Sequence, residues 1–365
     1  MIVKQFHFSN WRNLKENTIV PCETVNIFYG DNAQGKTNLL EALWLCSGAK
    51  SFRGAKENEM IEFDEQQARL QLIFHSKERE QELIYSLGNK KKVTLNNVEQ
   101  KKLSDLYETI FMVVFAPNHL NLVKDGPAVR RNFIDFGLER LKPSFISLEE
   151  QYNRALDQRN ALIREQGFQQ FGTDMLELWE DHLAKLGSIM VYQRQKYVEH
   201  LIPFATNFYY ELSGKKEELS LAYDGLEFSG ENNGYELLKQ ALKESRENDS
   251  KVGYTTVGPH RHDLIITING ISARTYGSQG QQRSAALALK MAEAQVLSEY
   301  VGEKPIILLD DVMSELDSDR QDFLLNKFNG RQIFITCCDP ASVLRMVEGK
   351  TFYIKQGEIY EETKR

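Results

Sequence analysis

The stretch Gly30-Asp31-Asn32-Ala33-Gln34-Gly35-Lys36-Thr37 fits G-x-x-x-x-G-K-[ST], the pattern of a phosphate-binding loop. Backbone N–H groups of such a loop, here Gly30 through Asn38, hold the α- and β-phosphates of a nucleotide, helped by the positive end of the next helix. Lys36 reaches the β- and γ-phosphates, and the Thr37 hydroxyl binds Mg²⁺. A glycine turn without function would not bring two glycines, a Lys and a Thr into register.

Two more stretches could complete this chemistry. Pro305-Ile306-Ile307-Leu308-Leu309-Asp310-Asp311 is an aliphatic run ending in two carboxylates. A buried parallel strand reads this way, and its C-terminal end is where α/β ligands sit. Asp310 there would hold Mg²⁺, directly or through water. Asp311 would orient or deprotonate the attacking water. The second stretch is Ser278-Gln279-Gly280-Gln281-Gln282-Arg283, which opens a run of good helix formers from Ser284 to Tyr300. Ser278 with Gln281 makes a capping box. It reads either as a well-capped helix or as an anion site, in which the Ser hydroxyl, Gly280 and the helix N-terminus receive a γ-phosphate.

The elements that must position these residues are legible. Thr24 to Tyr29 is a short β-branched and aromatic run before the loop, and Asn38 to Leu45 is a strong helix former after it. Strand, glycine turn and helix in that order are the required context. Ala68–Phe74 and Gln81–Leu87 predict paired strands, with Gly88-Asn89 as a turn. Phe111 to Ala116, stopped by Pro117, predicts a buried strand. The middle changes period. Phe145, Leu148, Tyr152, Ala155 and Leu162 mark one helix face through Arg164, and Leu176, Trp179, Leu183, Leu186, Met190 and Tyr197 mark a second helix. Gly167, Gly172 and Thr173 between them predict the turn of an antiparallel pair. Residues 231–252, with many charges and Asn-Asn-Gly, read as a surface helix plus loop. Leu264–Ile268, Asn269-Gly270 and Ile271–Tyr276 read as a hairpin. The chain ends as helix, strand, helix, strand, which suggests a mostly parallel sheet covered by helices.

At 365 residues the chain suits one large or two medium domains. Its net charge of −7 gives no support to nucleic-acid binding, so any DNA contact must come from local clusters such as Lys90-Lys91-Lys92, Lys101-Lys102, Arg130-Arg131 and Lys215-Lys216. Cys22, Cys46, Cys337 and Cys338 show no C-x-x-C spacing, which points to a reducing cytosol. The N-terminus alternates like a strand and lacks a signal-peptide core, and no apolar run is long enough to span a bilayer. A cytoplasmic chain with no membrane partner is expected.

Taken together, the motifs resemble those of the RecF family, DNA recombination and repair ATPases with an ABC-type head. The residues carrying the resemblance span most of the chain. They include Asn10-Trp11-Arg12-Asn13, Gly30 to Leu43, Lys50-Ser51-Phe52-Arg53, Arg130-Arg131-Asn132-Phe133-Ile134-Asp135, Gly258-Pro259-His260-Arg261, Tyr276 to Arg283 and Leu309 to Asp317. Ser-Gln-Gly-Gln-Gln stands where transporters usually carry Leu-Ser-Gly-Gly-Gln. The separation of Lys36 from Ser278 is too long for a minimal transporter ATPase and far too short for an SMC coiled-coil arm.

The resemblance implies an α/β fold: an ABC-type ATPase head, with a mixed sheet and P-loop helix, plus an inserted, mainly helical domain. The head would take 1–112 with 252–365, and the helical domain 113–251. It implies ATP and Mg²⁺ as cofactors, with Lys36, Asp310, Asp311 and Ser278 catalytic. Gly30 to Asn38, Ser278, Gly280, Gln281 and Arg12 would bind the nucleotide, Thr37 and Asp310 the metal. Arg53 would bridge nucleotide and DNA. Ser278 would serve the ATP on a second copy, giving an ATP-dependent homodimer on double-stranded DNA near single-strand junctions. Mediator proteins of the RecR and RecO type would be partners in loading a recombinase. Three departures from the family pattern stand out. Pro117-Asn118-His119-Leu120 replaces an acidic Pro-Glu-Asp-Leu. His262 replaces an Asp after Gly258-Pro259-His260-Arg261, where a metal role for the two histidines lacks a third ligand. Finally, Thr336 or its neighbours stand where many ABC ATPases place a switch His, which predicts slow hydrolysis. A transporter ATPase subunit and an ATP-dependent scaffold without turnover are the competing readings.

Overall fold

The computed structural model describes residues 1–165, 172–226, 228 and 231–362. They form two units, Met1–Leu120 with Glu293–Arg365, and Asn121–Ala292.

The first unit contains the expected parallel sheet. Its strand order is Glu358–Glu362, Gly349–Lys355, Val25–Tyr29, Ile333–Cys337, Ile306–Asp310 and Met112–Phe115. All neighbours run parallel except the Glu358–Glu362 edge. Ile306–Asp310, Ile333–Cys337 and Met112–Phe115 are buried at every residue, as continuous aliphatic runs require when both faces are covered. Phe28 stacks between Phe352 at 4.8 Å and Phe334 at 6.2 Å and ties three strands together.

A second, antiparallel sheet runs Asn17–Ile19, Ile2–Ser9, Ala68–Ser76, Arg79–Leu87, Lys92–Leu95, Val98–Glu99. Phe6, Phe8, Leu70, Leu72, Phe74, Leu83 and Tyr85 alternate onto its buried face. The pair Ala68–Ser76 and Arg79–Leu87 is closed by Lys77-Glu78, both with positive φ (50° and 62°). Gly88-Asn89 instead turns the chain toward Lys92–Leu95. The turn expected at Gly88-Asn89 is there, while the Lys77-Glu78 turn went unread, because Lys and Glu are poor signals for a primed turn.

The second unit is mainly helical, with helices Pro127–Leu141, Ser144–Arg164, Gly172–Leu212, Glu231–Glu244, Arg246–Val252 and the start of Gln279–Val301. Arg159 meets Glu180, and Tyr152 lies beside Gly187, so Ser144–Arg164 and Gly172–Leu212 run antiparallel. Gly167, expected in their turn, lies outside the described residues; Gly172 and Thr173 already belong to the second helix.

Three expectations change here. Asn232-Asn233-Gly234 belongs to Glu231–Glu244, so 231–252 is two helices rather than helix plus loop. Ile271–Tyr276 is a strand only at Ile271–Ser272; Ala273–Tyr276 is a helical turn, because the Ser272 hydroxyl caps the Thr275 N–H. Last, 252–292, expected with the head, groups with the second unit, since Asp263–Ile268 pairs along its whole length with Leu219–Asp224, while 113–120, expected with the helical domain, groups with the first.

Buried ion pairs hold the second unit. Arg159, with no exposure, donates to Asp249, Glu180 and the Thr255 hydroxyl. Arg194 grips Asp135 with two bonds of 2.7 Å and donates to the Pro259 carbonyl at 2.6 Å. Arg130 grips Asp263 in the same way, and Arg131 donates to the His262 carbonyl.

Candidate functional site

Gly30 and Gly35 shape the phosphate loop. Their φ values are 150° and 112°. A Cβ on Gly30 would fall 2.3 Å from the Ile354 carbonyl oxygen, and one on Gly35 would fall 2.5 Å from Leu14 Cδ2. Only glycine fits either place. Gly35 caps the helix Lys36–Leu45, while Asp31, Asn32 and Ala33 stay exposed. Lys36 is 7% exposed and curls over the loop, donating to the carbonyls of Gly30 at 2.5 Å and Asp31 at 2.9 Å. Gln34 accepts the Gln356 N–H at 2.6 Å, so the C-terminal hairpin braces the loop.

Parallel register brings the acidic pair to the same edge. Asp310 stands opposite Thr336, and Thr336 opposite Phe28, two residues before Gly30. Asp310 accepts a hydrogen bond from the Thr336 hydroxyl at 2.9 Å, and the nearby Thr37 hydroxyl also favours its charged form. Burial pushes its carboxyl above the usual carboxylate range, and those two hydroxyls counter part of that push. Asp311 follows with φ of 51°, its N–H donated to Thr336 Oγ1 at 2.9 Å. The Ser314 hydroxyl donates to the Asp311 carbonyl at 2.7 Å. Loop lysine, threonine hydroxyl and two carboxylates therefore converge within the first unit.

Ser278 lies in the second unit. Its N–H donates to Gln281 Oε1 at 2.8 Å, and its Oγ accepts the Gln281 N–H at 3.2 Å, closing the expected capping box. Ser278 and Gln279 are exposed; Gly280 and Gln281 are half-buried, with Gln281 also donating to Glu217.

Arg12 and Arg53 take a place the sequence reading did not assign. Both converge on Glu41, a fully buried carboxylate of the phosphate-loop helix: Arg12 Nη2 lies 2.7 Å away and Arg53 Nη1 3.9 Å. Arg53 also donates to Asn38 Oδ1 at 2.8 Å. The signal was present: a carboxylate inside Leu39-Leu40-Glu41-Ala42-Leu43 demands a buried cation. Asn118 donates to the Phe52 carbonyl at 3.0 Å, so Pro117–Asn121 braces this same loop.

Two other leads change. Arg130 is 2% exposed and saturated by Asp263 and carbonyl oxygens, which removes it from the basic clusters open to a phosphate. His260 bonds Tyr152 and the Thr255 carbonyl, and His262 bonds Tyr223. No group of three or more metal-ligating side chains exists among the described residues.

A parallel sheet that gathers a phosphate loop and a paired carboxylate at one edge defines the class: this is an ATPase head of the RecF/SMC type. The family model described as RecF/RecN/SMC N terminal domain matches residues 2–359. The chain is 37% identical to the "DNA replication and repair protein RecF" of Agathobacter rectalis, covering 98% of this chain and 99% of that one. It is also 37% identical to the protein of the same name from Clostridium acetobutylicum, over 99% and 100%. The solved structure of the recombination mediator protein RecF-ATP in the RecFOR pathway superposes with a TM-score of 0.90 at 36% identity, covering 99% of this chain and 98% of that one. An Smc head domain from Pyrococcus furiosus shares the fold alone, with a TM-score of 0.56 at 13% identity, covering 99% and 96%. The chain belongs to the RecF family of DNA replication and repair proteins.

Proposed function

We propose that this chain is an ATP-dependent DNA-binding repair protein that dimerises head to head on double-stranded DNA near single-strand gaps or junctions. ATP with Mg²⁺, when bound, supplies the γ-phosphate whose presence joins two heads and whose slow loss parts them. The observation that carries the reading is Asp310, buried at the end of its strand, with the Thr37 hydroxyl of the phosphate-loop helix near enough to favour its charged form. A hydroxyl and a carboxylate at one point are the hard oxygen donors that suit Mg²⁺. The space that Gly30 and Gly35 leave free of side chains lets backbone N–H groups from Gly30 to Asn38, among them those of Asp31, Asn32, Ala33 and Gln34, approach phosphate. Lys36 exchanges its two carbonyl partners for phosphate oxygens. Asp311 orients the attacking water. Arg12, though paired with Glu41, is kept as a nucleotide contact because its Nε has no hydrogen-bond partner.

Ser278, Gly280 and Gln281 close on the nucleotide held by a second copy; exposure of the capped helix tip supports this role. As a functional division, the head takes 1–112 with 252–365, although 252–292 packs within the second unit, because Ser278 belongs to the nucleotide chemistry; 113–251 is its helical arm. Partners of the RecR and RecO type act with it in recombinase loading, a reading supported by the RecFOR pathway to which the RecF-ATP structure belongs. Family membership sets the transporter reading aside.

Analytical ultracentrifugation with ATP, Mg²⁺ and duplex DNA tests the proposal. The wild-type chain should sediment as a dimer, while Lys36→Met and Ser278→Arg should stay monomeric. Wild-type mass unchanged by ATP, or a Ser278→Arg chain that dimerises normally, overturns it. A scaffold without turnover would instead keep its ATP-dependent DNA binding in Lys36→Met.

A further inference from the structure

We propose that Thr336 is the positioning residue that sets both acidic groups of the site, so that the Mg²⁺ dependence of nucleotide binding runs through its hydroxyl. The inference rests on the nucleotide site proposed above. Thr336 sits on Ile333–Cys337, the strand between the phosphate-loop strand and the Asp310 strand, and it is fully buried.

A threonine hydroxyl has one proton to give and lone pairs to receive. Here both capacities are used. The proton goes to Asp310 Oδ1 at 2.9 Å, and a lone pair takes the Asp311 N–H at 2.9 Å. One atom therefore holds the carboxylate of one residue and the backbone of the next. With Oδ1 tethered, the Asp310 carboxylate is held in one orientation at the end of its strand. Asp311 has φ of 51°, a conformation costly for a residue with a Cβ, and it persists only where neighbours enforce it. Thr336 enforces it from the N–H side and Ser314 from the carbonyl side.

Valine has the shape of threonine without the hydroxyl. Thr336→Val would leave the Asp310 Oδ1 and the Asp311 N–H without this partner in a dry interior, whereas Thr336→Ser keeps both bonds. The test is equilibrium binding of a fluorescent ATP analogue to the full chain, in EDTA and in Mg²⁺, with steady-state hydrolysis alongside. Thr336→Val should bind as wild type in EDTA. Its Mg²⁺-dependent gain in affinity should shrink by about 10- to 100-fold, the usual effect of losing a residue that orients a metal ligand. Its kcat should fall more than its KM rises. Thr336→Ser should restore both. Should Thr336→Val fail to fold, Thr336→Cys carries the test, since a thiol of similar size is a poor donor.

A wild-type Mg²⁺ gain in the valine or cysteine chain overturns the inference. So does a serine chain as impaired as the valine one, because the role would then be packing of the methyl group. A wild-type protein whose nucleotide affinity ignores both Mg²⁺ and Lys36→Met overturns the site reading itself, and this inference with it.

Discussion

Glu41 shows how a single residue can organise a site it does not enter. It is fully buried on the phosphate-loop helix and receives the Ser51 hydroxyl and the guanidinium of Arg12. Two buried charges are tolerable only as a pair, and removing one partner strands the other. Glu41→Ala should destabilise the chain at or below the ~3–5 kcal/mol typical of a broken buried pair, because the Arg12 side chain keeps some contact with water. Urea unfolding measures this, and a loss within a few tenths of zero would show that the pair is not structural. Asp249 makes the stronger case. It accepts from Arg159, Ser245 and Thr256 with no exposure, so Asp249→Ala should cost the full ~3–5 kcal/mol by the same assay.

At the level of elements, two turn glycines share a backbone conformation and differ in surroundings. Gly270 has φ of 78°, and a Cβ there would meet nothing within 4 Å. Gly357 has φ of 81°, but a Cβ there would lie 2.0 Å from the Asn13 carbonyl oxygen. Gly270→Ala should therefore cost only the conformational penalty, roughly 1–2 kcal/mol. Gly357→Ala must also move backbone. The Gln356-Gly357 turn braces Gln34, and Asn13 accepts a bond from Asn38, so this change should weaken nucleotide binding as well as stability. Equal thermal shifts in the two variants, with nucleotide affinity untouched, would contradict the brace.

Two charge effects belong to the molecule as a whole. Burial pushes the His260 imidazole down to about 4 and that of His262 down to about 3. Arg194 and Arg131 add to both shifts, Arg261 to that of His260, while the Thr255 carbonyl opposes it. Tyr152 and Tyr223 face the rings as hydrogen-bond partners. Between about pH 4 and the unfolded value near 6.5, the unfolded chain binds more protons than the folded one. Stability should thus be full above pH 6.5 and fall as pH drops toward 4. Urea unfolding at pH 7 and pH 5 measures the slope, and a double His260→Asn, His262→Asn chain should flatten it. The second effect concerns DNA. With a net charge of −7, any DNA binding must come from local basic clusters, and its affinity should still fall as salt rises through counterion release. Filter binding at two salt concentrations reads this directly; a salt-independent complex would exclude backbone phosphate contacts.

Local chemistry was written in the sequence. The glycines that need left-handed backbone, the lysine and threonine after them, the aliphatic strand ending in Asp310-Asp311 and the box of Ser278 with Gln281 all follow from residue type and short spacing. So did the parallel sheet, since continuous apolar runs alternating with helix formers admit few other architectures. What tertiary structure alone decided are the pairings between distant residues. Strand order set Thr336 opposite Asp310, turning a hydroxyl read as a missing histidine into a partner for the Asp310 carboxylate and the Asp311 N–H. Packing sent Arg12 to Glu41 and buried Arg130 on Asp263, taking it from the candidate surface clusters. Pairing of Asp263–Ile268 with Leu219–Asp224 drew the stretch before Ala292 into the second unit. Side-chain period and turn chemistry act over a few residues and can be read in one dimension. Buried charges and strand neighbours are chosen by whatever else must satisfy them in three.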